Sequence, residues 1–215
     1  MDALVAAAID AAAGLVPRIV LVPTAVARHR PGAAVAHGER AFRAAAARAG
    51  VAVDVSAALV LDAVSAADPA NVAGLAAAHL VHLPGGDPDL PPSILRGSLA
   101  WAAILRAYAA GACIAGASAG AMALAGRLWT GHGPMDGLAL VPGVAVLPHF
   151  DAVRLATWRH AVDPDGRLTW LGLDERTLVI GRPGEPWRVA GAGLVHLIRR
   201  TGEATSAGDG GTVEL

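Results

Sequence analysis

Short apolar runs alternate with Ala-rich runs of helical period through the first half of this chain. The segment RIVLVP (18–23) is rich in β-branched residues, which favour strands, and it ends at a proline. The segment GERAFRAAAARA (38–49) places Phe42 on one side and its arginines elsewhere, which predicts a helix that ends before Gly50. Because strands that alternate with helices along a chain form parallel sheets, the pattern predicts an α/β fold.

The same alternation predicts the remaining elements. Asp68 is suited to cap a helix and Pro69 to occupy its first position, so a helix is predicted from there, and another at 98–110. The predicted strands are 18–23, 51–55, 79–83, 112–115, 144–147, 178–180, 187–189 and 194–198. These elements predict one α/β domain over residues 1–215, in three layers with a mainly parallel sheet flanked by helices. Residues 201–215 are polar and Gly-rich and are expected to form a loose C-terminal edge or tail.

Composition excludes several classes of function. The 215 residues carry a net charge of −1, and all 17 basic residues are arginines that form no stripe, so neither nucleic acid nor an acidic membrane is an expected partner. The single cysteine, Cys113, excludes an internal disulfide and fits a reducing cytoplasm, which is the location we predict. The N-terminus has no basic leader, and the uncharged stretch 107–126 is mostly Ala and Gly, so neither a secretory signal nor a membrane span is predicted.

The stretch IAGASAGAMAL (114–124) carries one hydroxyl, Ser118, among small side chains. One interpretation is a sharp strand-to-helix turn, in which Gly116 and Gly120 avoid a clash, the serine is exposed, and the N–H groups of the following helix can bind an oxyanion. The other interpretation is a small-residue helix face that packs against another helix. The motif G-x-S-x-G alone leaves both interpretations open.

Three further segments carry residue types that suit nucleophilic catalysis. LPGGDP (83–88) is a Gly-rich loop just after a predicted strand, where α/β sheets bind ligands. In VLPHFDAVR (146–154), a histidine directly follows a strand, and LGLDERTLVI (171–180) places two adjacent acids between apolar runs. An acid there could orient a histidine or could cap a turn. A serine, a histidine and an acid together can perform hydrolysis, because the histidine accepts the serine proton and the acid holds the histidine.

The series LPGGDP, AGASAGAMAL, LPHF and GLDERT, in this order and spacing, resembles the cyanophycinase and aspartyl dipeptidase (peptidase E) family of serine peptidases. The resemblance extends from about residue 18 to residue 195. It implies a class I glutamine amidotransferase-like fold of the flavodoxin type. The family begins with another Gly-rich strand before the strand at 18–23, whereas this chain starts at a helix, so we expect either that this edge strand is missing or that the start is truncated.

The resemblance also implies roles for individual residues. Glu175 matches the family's acid, and Asp174 is the weaker candidate for the same role. Cyanophycinases carry an Asp-Gln pair where this chain has Leu147-Pro148, and a glutamine where it has Pro88, so cyanophycin is not the expected substrate. The other implied roles are nucleophile for Ser118, general base for His149, oxyanion-hole N–H donors for Gly86 and Ala119, and substrate contacts for Asp87 and Arg154.

Three functions from different classes are compatible with these residues. The favoured one is a cytoplasmic serine hydrolase that cleaves a small peptide or isopeptide through an acyl-enzyme, without a metal or cofactor, and as a homodimer by analogy. The second is an α/β-hydrolase-type esterase that uses Ser118, Asp174 and His196. The third is a non-catalytic protein that keeps the amidotransferase-like fold to bind a small molecule. His79 and His82 alternate along a strand and are expected to have a structural role, not to bind a metal.

Overall fold

Four short strands in the first 120 residues form an all-parallel sheet. The structure, a computed structural model, describes residues 1–215, which divide into two compact units, 1–120 and 121–215. The strands of the first unit are β1 (Arg18–Leu21), β2 (Asp54–Ala57), β3 (Leu80–Leu83) and β4 (Cys113–Gly116). They lie in the order β2-β1-β3-β4, and every pair is parallel. β3 is buried along its whole length, as expected for the interior of a parallel sheet.

Helices pack against this sheet and against one another. They are α1 (Asp2–Ala12), α2 (Pro31–Ala49), α3 (Pro69–Ala76), α4 (Leu90–Leu95) and α5 (Leu99–Ala109). Helix α1 contacts β1, β3 and β4, α2 contacts β2, and α3 packs on α5, which contacts β4. A further short helix, α6 (Ala119–Leu124), begins just after Ser118. The protein therefore has the predicted α/β class of fold, with a mainly parallel sheet flanked by helices.

Capping signals predicted the start of α3 correctly. The side chain of Asp68 accepts hydrogen bonds from the backbone N–H groups of Ala70 and Asn71, at 2.8 and 3.1 Å, and Pro69 is the first helical residue. Two of the four N–H groups that a helix leaves unpaired at its N-terminus are thereby satisfied. The predicted end of α2 is also confirmed, because Gly50 follows it in the left-handed conformation, with φ of 68°.

Two elements of the first unit differ from their predicted bounds by three residues or more at one end. α2 begins at Pro31 and not at 38, since a proline is well suited to the first turn of a helix. β2 spans Asp54–Ala57 and not 51–55. Its position is set by parallel pairing with β1, in which Arg18 lies opposite Asp54. Pairing between distant segments is not visible in a local hydrophobic pattern, which explains the shift.

The second unit contains two sheets. Strands β5 (Ala125–Thr130), β6 (Gly133–Asp136), β7 (Val141–Pro148), β8 (Thr169–Leu173), β11 (Val195–Ile198) and β12 (Ala204–Ala207) form the larger one. Their order is β12-β11-β8-β7-β5-β6, and the central strands β5, β7 and β8 are parallel. The smaller, antiparallel sheet consists of β9 (Thr177–Ile180), β10 (Trp187–Gly191) and β13 (Thr212–Val213). One helix, α7 (Ala152–Val162), belongs to this unit.

Alternate side chains of β7 belong to two different hydrophobic clusters. Val144 and Val146 pack in one cluster with residues of β8, β10 and β11. Ala145 and Leu147 pack in the other, with Trp170 among its fully buried members. Since successive side chains of a strand point to opposite faces, the larger sheet of the second unit is covered by apolar residues on both sides.

The sequence missed α4 of the first unit and β5, β6, β8 and α7 of the second, and it placed no strand in residues 201–215. The region expected to be a loose edge or tail contains β12, which pairs with β11 at the edge of the larger sheet, and β13, which pairs with β10. Ordinary antiparallel pairing thus holds this polar, Gly-rich segment. No helix of the structure combines the length and the apolar character needed to cross a membrane.

Candidate active site

Ser118 lies in the sharp turn between β4 and α6. Its φ is 49°, in the left-handed region that side-chain-bearing residues adopt rarely. The carbonyl oxygen of Leu83 accepts a hydrogen bond from the N–H of Ala117 at 2.9 Å, and a Cβ at Gly120 would overlap the same oxygen. The turn is therefore held against the end of β3, and only glycine fits at position 120. Since residues 113–116 form a strand, a helix face running through 114–124 does not describe this segment.

The Gly-rich loop after β3 lies beside Ser118. A Cβ at Gly85 would come 3.2 Å from the Cβ of Ser118 and 3.7 Å from its Oγ, so this loop passes close to the hydroxyl. Gly86 has φ of 150°, and a Cβ there would overlap the carbonyl group of Ala25. That carbonyl accepts a hydrogen bond of 2.7 Å from the N–H of Asp87. Close approach of the backbone thus requires a glycine at position 86, and a side chain at position 85 would crowd Ser118.

The carboxylate of Asp87 is engaged by neighbouring side chains of the same unit. Its Oδ2 lies 3.2 Å from Nε2 of His29 and 3.8 Å from Nη1 of Arg28. The same guanidinium nitrogen also contacts Oδ2 of Asp89, at 3.0 Å. These contacts tie the Gly-rich loop to residues 28–29, and the substrate contact expected of Asp87 stays a prediction.

His149 and Glu175 are brought together at the carboxyl ends of two neighbouring parallel strands. Pro148 of β7 lies opposite Leu173 of β8, so the residues that follow each strand meet at one edge of the sheet. Nδ1 of His149 lies 2.6 Å from Oε1 of Glu175. A carboxylate accepts only, so Nδ1 carries the proton and Nε2 of a neutral ring is left to accept one. His149 also has a left-handed backbone, with φ of 52°.

Asp174 pairs with a different histidine. Its Oδ1 lies 3.1 Å from Nε2 of His196, and its Oδ2 accepts a hydrogen bond of 2.9 Å from the N–H of Leu194. The hydrogen bond from Leu194 lowers the pKa of the Asp174 carboxyl, and the hydrogen bond and charge of His196 add to this effect. Of the two adjacent acids that the sequence left open, Glu175 is therefore the one that contacts His149.

The second histidine is not arranged as a free base. Nδ1 of His196 lies 2.9 Å from Oγ of Ser206, so both ring nitrogens have partners. One face of its ring is stacked on Phe150. An esterase that used Ser118, Asp174 and His196 would need one nitrogen of this ring to face the serine, and this arrangement leaves none available.

A cleft of about 460 Å³ in the second unit opens beside the His149–Glu175 pair. It is lined by His149, Phe150, Asp174, Glu175, Arg176, Ala192 and Gly193. Arg176 and the Gly-Ala-Gly segment were not singled out in the sequence. A glycine within a strand-rich region often indicates that two backbone segments approach closely, so the glycines on either side of Ala192 could have indicated this part of the site. The structure shows such an approach, because a Cβ at Gly193 would come 2.6 Å from the Cβ of Asp174.

The remaining candidates have the following surroundings. Arg154 lies in the first turn of α7, where its backbone N–H donates to Oδ1 of Asp151, and its exposed side chain makes no ion pair. Ala119 is the buried first residue of α6. His79 accepts a hydrogen bond from the N–H of Arg18, which is a structural role. Cys113 is partly buried in β4, and burial raises the pKa of its thiol.

Comparison with known proteins identifies the family. The family model of peptidase family S51 matches residues 3–185. The crystal structure of a peptidase from an acI-B1 actinobacterium superposes with a TM-score of 0.82 at 25% identity, covering 100% of this chain and 89% of that one. A putative peptidase E protein from Listeria monocytogenes EGD-e shares the fold, with a TM-score of 0.59 at 17% identity, covering 89% of this chain and 95% of that one. No curated protein matches the chain. The chain belongs to peptidase family S51, a family of serine peptidases.

Proposed function

We propose that this peptidase cleaves a small peptide or isopeptide through an acyl-enzyme, with Ser118 as nucleophile, His149 as general base and Glu175 as the acid that orients the base. The observation that carries the proposal is the hydrogen bond of 2.6 Å between Nδ1 of His149 and Oε1 of Glu175. It fixes the tautomer in which Nε2 can accept a proton. This is the state that a serine hydroxyl needs in its base, because the hydroxyl is a poor nucleophile while it keeps its proton.

In the proposed acylation, Oγ of Ser118 attacks the carbonyl carbon of the scissile bond while its proton passes to Nε2 of His149. The negative charge of Glu175 stabilises the imidazolium that forms. The same proton then passes to the leaving amine as the carbon–nitrogen bond breaks, which leaves an ester on Ser118. A water molecule, deprotonated by His149 in turn, attacks this ester and releases the acid product with the serine restored.

The local geometry of Ser118 supports its role as nucleophile. The left-handed backbone at the strand-to-helix turn is a strained conformation, and strained residues of this kind occur preferentially at functional sites. We assign the turn as a nucleophile elbow. The N–H groups of Ala119, at the start of α6, and of Gly86, in the loop that passes beside the serine, are the proposed donors of the oxyanion hole.

Substrate class, location and assembly remain predictions. The proposed substrate is a small peptide-like molecule. Arg154, with an exposed side chain and no acid partner, is the proposed contact for a substrate carboxylate, and Asp87, in the Gly-rich loop, is the second proposed substrate contact. A cytoplasmic location and a homodimer are the further predictions of the sequence.

A fluorophosphonate probe tests the proposal directly, because such a probe forms a covalent bond with an activated serine only. We expect labelling of the native protein, none of Ser118→Ala, and strongly slowed labelling of His149→Ala. Ser93→Ala is the matched control, since Ser93 is exposed on α4 and bonds only to the carbonyl of Asp89. Labelling that persists in Ser118→Ala, or that His149→Ala leaves at the native rate, would refute the assignment.

A further inference from the structure

The ring of Phe150 is clamped between a histidine and a glycine. It stacks on the imidazole of His196 with ring centroids 3.9 Å apart and planes inclined by 20°. A Cβ at Gly172 would overlap Cδ2 of Phe150, so the absence of a side chain there makes room for the ring. Gly172 of β8 and His196 of β11 lie opposite each other in the sheet. Phe150 therefore lies flat across two paired strands, at a place that only a glycine leaves open.

The plane of the His196 ring is fixed at both of its edges. Nε2 bonds to Asp174 and Nδ1 to Ser206, at 3.1 and 2.9 Å. Asp174 is itself held by the N–H of Leu194, and Ser206 belongs to β12, which pairs with β11. An imidazole held from both sides cannot rotate about its terminal torsion without breaking one of these bonds. It forms a fixed platform under the Phe150 ring.

This platform is connected to the active-site base through one peptide bond. Phe150 directly follows His149, and its N–H donates a hydrogen bond of 3.0 Å to the carbonyl oxygen of Leu173. His149 has a left-handed backbone, a conformation that persists only where its surroundings enforce it. The stack on His196 and the backbone hydrogen bond of Phe150 hold the chain immediately after His149, together with packing of Phe150 against the cluster that contains Leu147 and Trp170.

We propose that His196 is a positioning residue of this peptidase, which acts through the stacked ring of Phe150 to hold His149 in the backbone conformation that presents its Nδ1 to Glu175. The inference rests on the proposed role of His149 as the base. It assigns the Asp174–His196–Ser206 arrangement, which on residue types alone resembles a second catalytic triad, to support of the base and not to chemistry of its own.

Three substitutions at one position separate stacking from hydrogen bonding. His196→Phe keeps an aromatic platform and loses the hydrogen bonds, His196→Asn keeps a polar side chain and loses the platform, and His196→Ala loses both. We expect kcat to fall on the order of 10²-fold in the Ala and Asn variants with KM unchanged, because a displacement of about 1 Å in a reacting group has an effect of this size. His196→Phe is expected to keep kcat within a few-fold of the native value. His132→Ala, at an exposed histidine between β5 and β6, is the matched control.

The rates are expressed per active site, counted by stoichiometric labelling with a fluorophosphonate probe. A variant that is only less well folded has fewer labelled sites, but each labelled site keeps the native kcat. A native kcat per labelled site in His196→Ala would therefore overturn the proposal. So would a His196→Phe variant as slow as His196→Ala, since it would show that the stacked ring is not what matters. If His196→Ala does not fold, Phe150→Leu, which removes the ring from the other side of the stack, gives the same comparison.

A second measurement does not depend on peptidase activity. The protonated Nδ1 of His149, held by Glu175 in a bond of 2.6 Å, is expected to give a distinct nitrogen-15 NMR resonance, which does not require slow exchange of the exposed proton and is assigned by its loss in His149→Ala. We expect it to persist in His196→Phe and to broaden or vanish in His196→Ala. An unchanged resonance in His196→Ala would refute the positioning role. If instead the resonance behaves as expected but Ser118 is not labelled in the native protein, the proposed function fails and the positioning of His149 stands.

Discussion

His82 is a buried histidine that makes the stability of the first unit depend on pH. It lies in the centre of β3, is 7% exposed, and contacts Phe42 edge-on with ring centroids 5.4 Å apart. Its Nδ1 is buried without a hydrogen-bond partner. Burial, with a smaller contribution from the charge of the N-terminal amino group, lowers the pKa of His82 from 6.5 to about 4. The ring is thus neutral in the folded protein at neutral pH.

The sign of the effect follows from which state binds the proton. Between pH 6.5 and pH 4 the unfolded chain protonates this histidine and the folded chain does not, so folding loses stability as pH falls through that range. The 1.5 pH units between 6.5 and 5 correspond to about 2 kcal/mol at pH 5. The full interval down to the folded pKa corresponds to about 3 kcal/mol. Above pH 6.5 the histidine contributes no pH dependence.

His82→Leu removes this contribution with little change in side-chain volume. The free energy of unfolding, measured by denaturant titration between about pH 5 and pH 7.5, should fall less steeply with decreasing pH in the variant than in the native protein. The difference between variant and native protein should grow in favour of the variant by about 2 kcal/mol from pH 7 to pH 5. His37→Leu, at an exposed histidine of α2, is the matched control and should show no such change. Parallel curves for the native protein and His82→Leu would refute the reasoning.

Three further outcomes are expected. Gly120→Ala should lower the melting temperature and abolish probe labelling, because the added Cβ would overlap the carbonyl of Leu83. The control is Gly74→Ala in α3, whose added Cβ meets nothing within 4 Å and should stabilise the protein by up to about 1 kcal/mol in thermal unfolding. Glu175→Gln should lower kcat on the order of 10²–10⁴-fold at an unchanged melting temperature, because the amide keeps a polar contact but loses the charge that stabilises the imidazolium; a native kcat would contradict it. Cys113 should react slowly with a thiol reagent at about pH 8 until the protein is denatured, since burial raises the pKa of its thiol; a fast reaction of the folded protein would contradict that.

Local signals in the sequence predicted much of the first unit. The Asp68-Pro69 pair carries its own physical reason for a helix start, and the glycine after α2 carries one for a helix end. The shifted position of β2 shows the limit of such signals, because Asp54 pairs with Arg18 from another part of the chain. A hydrophobic pattern indicates that a strand exists, but pairing with the neighbouring strand determines which residues belong to it.

The second unit was predicted less well because its elements depend more on pairing. β5 and β6 form a hairpin whose residues alternate only weakly between buried and exposed. α7 contains a single buried residue, Val162, so it has no apolar face for a periodicity argument to find. The sequence did contain a start signal for α7, because Asp151 directly precedes the helix and aspartate is a usual N-cap residue. Its side chain accepts a hydrogen bond from the N–H of Arg154.

The candidate site shows why the sequence alone could not choose between its two adjacent acids. Asp174 directly follows β8 and Glu175 lies in the turn that leads to β9, and the direction of side chains in such a turn is not given by a sequence pattern. The structure gives each acid its own histidine: Asp174 contacts His196 and Glu175 contacts His149. Each acid contacts a histidine, so the residue types at positions 174 and 175 fit both the peptidase and the esterase hypothesis. The two histidines differ in the partner of Nδ1. Nδ1 of His196 contacts Oγ of Ser206, whereas Nδ1 of His149 contacts the Glu175 carboxylate, which is the contact that the proposed mechanism requires of its base.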